Sequence, residues 1–347
     1  MSLNYKPKKI DKVVIFGHRG LIGSALINEL NIRKYKNIIS VTKIKLNLLN
    51  QRKVNNFFLK KKPDIVIIAA ARVGGIYANK TFPFNFLYEN LMIQNNIIGA
   101  SIKYKCKKLI FLGSSCIYPK SWKQPFTEND LNLANLEKTN EPYAIAKISG
   151  LKLCETFNRQ FNNNYPKFIT VIPPNLFGPN DNYDNKNSHV LAALIRKFKI
   201  AKLKNQKKIE VWGTGKPLRE FLYSEDAARI IIDLMELSEK AIYKHTKGKF
   251  SHINIGIGKD YKVSDLVKKL VKLSNFKGKI IYNSKYPDGV KRKLLNIKLL
   301  KKILPNSFSK MTSNNRKFDY YLKKEYLNLT KNTLKKFEKD SSYNLPI

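Results

Sequence analysis

Tyr143-Ala144-Ile145-Ala146-Lys147 sets a phenol and an amine four residues apart, the spacing that puts both on one face of a helix. An ammonium beside a phenol favours the phenolate and makes it a usable proton donor or acceptor. With 18 tyrosines and 66 basic residues in the chain, such a pair also arises by chance, so the spacing alone leaves open a plain surface pair. A second string, Gly113-Ser114-Ser115-Cys116-Ile117-Tyr118-Pro119, follows an apolar run and offers the Ser114 hydroxyl to a substrate carbonyl beside Tyr143. Cys116 on its own reads more readily as an inert buried thiol than as a reactive one. His189 reads equally as a helix cap or a packed ring.

A third group does no bond chemistry but points to a ligand. Gly17-His18-Arg19-Gly20-Leu21-Ile22-Gly23 lies between the first apolar run and the first helical pattern. There, glycines let the backbone turn tightly and approach a pyrophosphate, whose charge sits at the helix N-terminus. After the second apolar run, where an acid would hold the ribose hydroxyls of NAD, stand Ser40, Val41, Thr42 and Lys43. With no acid, and with Arg19 and Lys43 as cations, a 2′-phosphate is the better fit, and NADP(H) is expected over NAD. For a nucleotide, Trp212 offers a ring face and Arg219 a fork suited to phosphate; a core aromatic and a solvated charge are the alternatives.

These groups need a scaffold that gathers them, and the pattern supplies one. Lys12–Phe16, Asn37–Val41, Ile65–Ala69, Lys108–Leu112 and Phe168–Ile172 read as buried strands. Between them Leu21–Leu30, Arg52–Lys60, Phe84–Lys103 and Tyr143–Phe161 carry apolar residues three and four apart, as helices do. The alternation predicts an α/β fold, a doubly wound parallel sheet of the Rossmann type, with ligands at the carboxyl ends of its strands. From about residue 176 the regularity gives way to Gly/Pro/Asn-rich loops, with helices near 189–204 and 226–238. The expected division is a cofactor domain over 1–175, a mainly substrate-binding lobe over 176–304, and a polar tail over 305–347 to which no role is assigned.

Composition narrows the class. A chain of 347 residues, 43% of them hydrophobic, can bury an enzyme-sized core. The formal charge of +41 invites a nucleic-acid reading, but 56 of the 66 basic residues are lysines, and they are spread along the chain without any nucleic-acid-binding motif. No specific nucleic acid is expected as partner. The start is polar and lysine-rich, without a signal peptide or membrane span, so a cytoplasmic location is expected. Cys106, Cys116 and Cys154, odd in number and without metal-ligand spacing, argue against disulfides and a metal site.

The glycine loop, the serine after the fourth strand and the Tyr/Lys pair together resemble the extended short-chain dehydrogenase/reductase superfamily. Longer strings carry a closer likeness: 69–78 (AAARVGGIYA), 111–120 (FLGSSCIYPK), 140–147 (NEPYAIAK), 173–182 (PPNLFGPNDN), 187–190 (NSHV) and 211–221 (VWGTGKPLREF). From about Lys12 to Leu295 the chain is similar to the GDP-L-fucose synthase family of GDP-4-keto-6-deoxymannose epimerase/reductases.

That resemblance implies a GDP-linked keto sugar as substrate, inversion at C3 and C5 with Cys116 as base and His189 as acid, and reduction at C4. Hydride would come from NADPH, with Tyr143 protonating the oxygen and Lys147 and Ser114 assisting. It also implies that Asn47, Leu48, Leu112, Ser115, Pro173, Pro174, Asn175, Leu176 and His189 join the glycine loop around the cofactor. Lys197, Lys279 and Lys293 would join Trp212 and Arg219 around the substrate. Lys43, Lys197 and Lys279 stand where the family commonly has arginine, keeping the charge but losing the bidentate fork. Pro174 stands where a small hydroxyl residue is usual. Helices 84–103 and 143–161 resemble those that pair in homodimers of this superfamily. A same-fold enzyme acting on another GDP-keto-deoxysugar, of the colitose or deoxyheptose type, is the near alternative; a non-catalytic polyanion binder is the distant one.

Overall fold

The computed structural model describes residues 5–131, 133–184, 187–307, 316–330 and 332–334. Its first half alternates strand and helix: β1 (Lys12–Phe16), α1 (Leu21–Ile32), β2 (Asn37–Ser40), α2 (Gln51–Lys61), β3 (Ile65–Ile68), α3 (Ile76–Thr81), α4 (Pro83–Lys103), β4 (Lys108–Leu112), α5 (Glu141–Phe161) and β5 (Phe168–Ile172). The second half runs β6 (Asn175–Phe177), α6 (Val190–Leu203), β7 (Lys208–Trp212), β8 (Leu218–Tyr223), α7 (Ser224–Glu236), α8 (Glu239–Thr246), β9 (His252–Asn254), β10 (Asp260–Lys262), α9 (Val263–Ser274), β11 (Lys279–Asn283), β12 (Arg292–Lys293), α10 (Lys298–Ile303) and α11 (Arg316–Asn328). The five strands and six helices expected from periodicity form within a few residues of their expected bounds, because each packs an apolar face; β2, expected to be buried, is the edge strand, and its Ile38 and Ile39 are only half-buried.

The main sheet is wholly parallel, in the order β2-β1-β3-β4-β5-β9. Alternate residues of each strand feed opposite layers: Val13, Ile15, Ile65 and Ile67 pack with α1 and α7, whereas Val14, Phe16, Val66 and Ile68 pack with residues of α2 and α4. A sheet covered on both faces accounts for strands that are continuously apolar rather than alternating. The order reverses at β1, with β2 on one side and β3 on the other, and the carboxyl ends of β1 and β3 form the crevice in which such sheets hold ligands.

The chain does not part once at residue 175. α7 packs on α1 through the first layer, and β9 pairs in register with β5, Thr170 opposite His252 and Ile172 opposite Asn254. Pairing satisfies the backbone edge that β5 would otherwise expose. Three residues of strand carry no readable period, so β9 was invisible in the sequence. A second core unites α6, β7, β8 and α9, and the tail contributes to it: Phe318, Leu322 and Tyr326 on one face of α11 are buried there. Tyr223 donates to Glu325 Oε1 at 2.9 Å and stacks on Tyr321, tying α11 to β8. Residues 308–315, 331 and 335–347 of the tail lie outside the described residues.

Candidate active site

At the crevice Gly17 takes φ +88°, and a Cβ there would fall 2.6 Å from Ala70 N, so only glycine allows β1 to turn this close to the end of β3. Gly20 caps α1 without a side-chain hydrogen bond, leaving the first N–H groups of the helix available to an anion. Gly17 to Ile22 line a cleft of about 1350 Å³. Gly23 does not line it: a Cβ on Gly23 would lie 2.0 Å from Gly17 O, so this glycine seats the helix on the turn instead. Arg19, Lys43, Asn47 and Leu48 stand at the same end of the cleft, and both cations are exposed. The volume exceeds what one drug-sized ligand fills.

The chemical groups gather between the sheet and the second lobe. Ser114 ends the turn after β4 and accepts a hydrogen bond from Cys116 N at 3.3 Å, which fixes the thiol one step along the wall. On α5, Gly150 lets the helix press against Phe111, where a Cβ would lie 2.6 Å from the ring. One turn earlier Lys147 donates to Leu112 O at 2.8 Å, with its Nζ 4.7 Å from the Phe111 ring centre. Lys147 is 3% exposed, and burial pushes its pKa down to about 7.

Tyr143 departs from the expectation of a phenol activated by its lysine. Burial, with the neighbouring Cys116 adding to it, raises the phenol well above 10, and the hydrogen bond with Ser114 offsets only part. Desolvation outweighs the amine, whose Nζ is turned to the Leu112 carbonyl and stands 5.8 Å from the tyrosine ring centre. Tyr143 is therefore a neutral phenol at pH 7. That is the form a proton donor requires.

Cys116 Sγ is half-buried and has two partners: Asn140 Nδ2 at 3.4 Å and Lys293 Nζ at 3.5 Å. Lys293 arrives from β12, whose parallel register sets it beside Arg219 on β8, so the two cations stand together. Buried Glu220 holds this arrangement: Oε1 accepts from Ile257 N and Gly258 N, each at 2.7 Å, and Oε2 from Leu295 N at 3.0 Å. His189 caps α6 with extended backbone and faces the cleft. The surrounding protein, and then the Lys293 charge, hold its pKa below the usual imidazole value, although the residue itself is exposed and open to the cleft.

At the far end Trp212 stacks on Tyr286, centroids 4.3 Å apart, with Lys197 Nζ 4.8 Å from the indole centre. Arg219 donates to Leu218 O and Asp288 O. Of the expected residues, Leu112, Gly113, Ser115, Pro173, Pro174, Asn175 and Leu176 also line the cleft. Lys279 does not. It starts β11 opposite Lys208, four residues from the end that meets Trp212, and is exposed on the outer surface. The strand direction carries it away from the cleft, and the cation that β11 delivers there is Lys285, in the loop that follows. Tyr286 gave no signal in the sequence, whereas Asn140 did, as the first residue of the NEPYAIAK string.

The model of the NAD dependent epimerase/dehydratase family matches residues 13–256, most of the chain. The chain belongs to that family. A family relative, the GDP-L-fucose synthase of Escherichia coli (strain K12), is 46% identical over 286 residues, 82% of this chain and 88% of its own. Among solved structures, a GDP-6-OMe-4-keto-L-xylo-heptose reductase from C. jejuni superposes with TM-score 0.81 at 34% identity, covering 86% of this chain and 93% of its own. A GDP-L-fucose synthetase from Naegleria fowleri, bound to NADP, superposes with TM-score 0.81 at 26% identity over 94% and 95%.

The cradle fits the dinucleotide of the family: a positive-φ glycine, an open helix N-terminus, and Arg19 with Lys43 where a 2′-phosphate would lie. Replacing Lys43 by Asp is expected to narrow or reverse the preference for NADPH, read as the ratio of kcat/KM for the two cofactors. Equal specificity constants for the two cofactors in the unchanged protein would remove the role given to the end of β2.

Proposed function

We infer that this chain is an NADPH-dependent oxidoreductase and epimerase that converts GDP-4-keto-6-deoxy-D-mannose into GDP-L-fucose. One observation carries this: a thiol, an imidazole and a neutral phenol share one cleft that has a dinucleotide cradle at one end and an aromatic, cationic end at the other. A 4-keto group acidifies the protons on C3 and C5. Inverting each carbon takes one group to remove a proton and another to return one to the opposite face. Cys116 is the base, with the Lys293 ammonium and the Asn140 amide facing its sulfur, and His189 is the acid. NADPH, held by the glycine turn with Arg19 and Lys43, would supply the hydride for C4. Tyr143 gives its proton to the C4 oxygen, Ser114 hydrogen-bonds the carbonyl, and Lys147 lies one helical turn behind. Supplying the keto sugar with NADPH and identifying the product by NMR tests the reading; a product with unchanged C3 or C5 would favour the colitose- or heptose-type alternative.

Trp212 takes the guanine face, while Arg219, Lys197 and Lys293 meet the pyrophosphate. Arg219→Ala is expected to raise KM for the GDP sugar by about 10- to 100-fold, with the affinity for NADPH nearly unchanged. Weakened NADPH binding instead would mean that the two ends have been exchanged.

The working unit is a homodimer formed through α4 and α5, which leave Phe84, Tyr88, Ile102, Ile145 and Leu153 exposed. Sedimentation of the wild type beside Tyr88→Lys reads this directly. The protein acts in the cytoplasm: its three cysteines are free thiols, and among the described residues no helix is long and apolar enough to cross a membrane.

A further inference from the structure

Between Lys293 and the start of α5, the cleft wall carries polar atoms that the chemistry above does not use. Glu137 is 8% exposed and lines the cleft. Its Oε1 accepts from Thr139 N at 3.2 Å, while Oε2 makes no hydrogen bond among the described residues and has only Lys120 Nζ at 3.7 Å. Thr139 Oγ1 and Asn140 Oδ1, both from cleft-lining residues, are likewise buried without a hydrogen bond. Each buried polar atom left unmade costs about 1–3 kcal/mol, so three together on one wall point to a ligand that supplies their partners.

The atom types name the ligand. A carboxylate oxygen and an amide oxygen only accept, and a threonine hydroxyl does either. A phosphate has no proton to give these acceptors, although cations border the patch: Lys120 Nζ lies 3.7 Å from Glu137, Lys293 faces Cys116 Sγ, and the Glu137 charge reaches Arg219. A sugar hydroxyl donates and is neutral. Asn140 fixes the position as well, because its Nδ2 touches Cys116 Sγ at 3.4 Å. Whatever its Oδ1 accepts lies next to the carbon from which the thiol takes a proton. A 4-keto-6-deoxyhexose has only two free ring hydroxyls, at C2 and C3, and the C3 hydroxyl sits on such a carbon.

We propose that Glu137, Thr139 and Asn140 form a sugar-hydroxyl subsite that receives the C3 hydroxyl of the hexose, with Glu137 as its buried acceptor and the determinant of selectivity against 3-deoxy sugars. The proposal rests on the function inferred above and adds the means by which the site tells a 3-hydroxy hexose from its 3-deoxy counterpart. A site built to hydrogen-bond a hydroxyl rejects the analogue lacking it, because its own polar groups are then left unpaired.

The test compares GDP-4-keto-6-deoxymannose with its 3-deoxy counterpart, in the wild type, Glu137→Gln and Glu137→Ala. It reads kcat/KM with NADPH, and calorimetric affinity for each sugar and for GDP alone in the presence of NADP+. Glu137→Ala is expected to lose about 10- to 100-fold on the hydroxyl sugar and less than about twofold on the 3-deoxy sugar, with GDP affinity unchanged and Gln intermediate. Equal losses on both sugars, a parallel loss of GDP affinity, or no loss on the hydroxyl sugar would overturn the subsite. A wild type that binds the hydroxyl sugar more tightly, loses that increment in Glu137→Ala, and yet makes no GDP-L-fucose would support the subsite and sink the functional reading instead.

Discussion

Tyr143→Phe is expected to cut NADPH oxidation by about 10²- to 10⁴-fold while leaving proton exchange on the sugar intact. The substitution removes one oxygen from a ring held edge-on to Phe86, with centroids 6.2 Å apart, so the packing survives. It removes the neutral phenol that would protonate the C4 oxygen as hydride arrives. Cys116, with Asn140 and Lys293 at its sulfur, is untouched. In deuterated water the keto sugar should therefore still acquire label at C3 or C5, followed by NMR, while absorbance at 340 nm hardly falls. Loss of both activities together would mean that Tyr143 organises the whole cleft rather than serving the reduction.

Cys116→Ala is expected to give the opposite result. Without the thiol the acidified C–H bonds lose the proposed base, and label incorporation should drop by about 10²- to 10⁴-fold. Residual NADPH oxidation should continue, because Tyr143, Ser114 and Lys147 remain, and the product should be a 6-deoxyhexose that keeps its original configuration at the uninverted carbons. Small-for-larger replacement at a half-buried position leaves the fold in place, and calorimetric binding of NADPH checks that. Deuterium exchange at the wild-type rate, with GDP-L-fucose still formed, would reduce Cys116 to a packed residue and remove the epimerase assignment.

The first experiment depends on a residue that the sequence revealed only in part. Tyr143 and Lys147 were readable as a pair from helical spacing, but their ionisation was not. Spacing left open a phenol activated by its lysine or a plain surface pair; the fold buries Lys147 and leaves Tyr143 half-buried in the cleft wall, raising the phenol and lowering the amine. Desolvation depends on every atom packed around a group, most of them distant in sequence, so no local pattern encodes it. Lys279 failed for a related reason. The family resemblance implied a substrate contact for it, and the direction of β11 placed it at the outer end of the strand.

By itself the sequence determined the parallel α/β domain, the glycine turn, the expectation of NADP(H) and the proximity of Ser114 to Cys116, because each follows from residues near one another in the chain. Tertiary structure alone decided what converges from afar. It brought Lys293 from 177 residues away to within 3.5 Å of Cys116 Sγ, threaded β9 beside β5, folded α11 into the second core, and left the Glu137 carboxylate with an oxygen that makes no hydrogen bond on the cleft wall. Local spacing fixes which side chains share a face of one element. Which elements meet, and how much water remains between them, is set by packing of the whole chain.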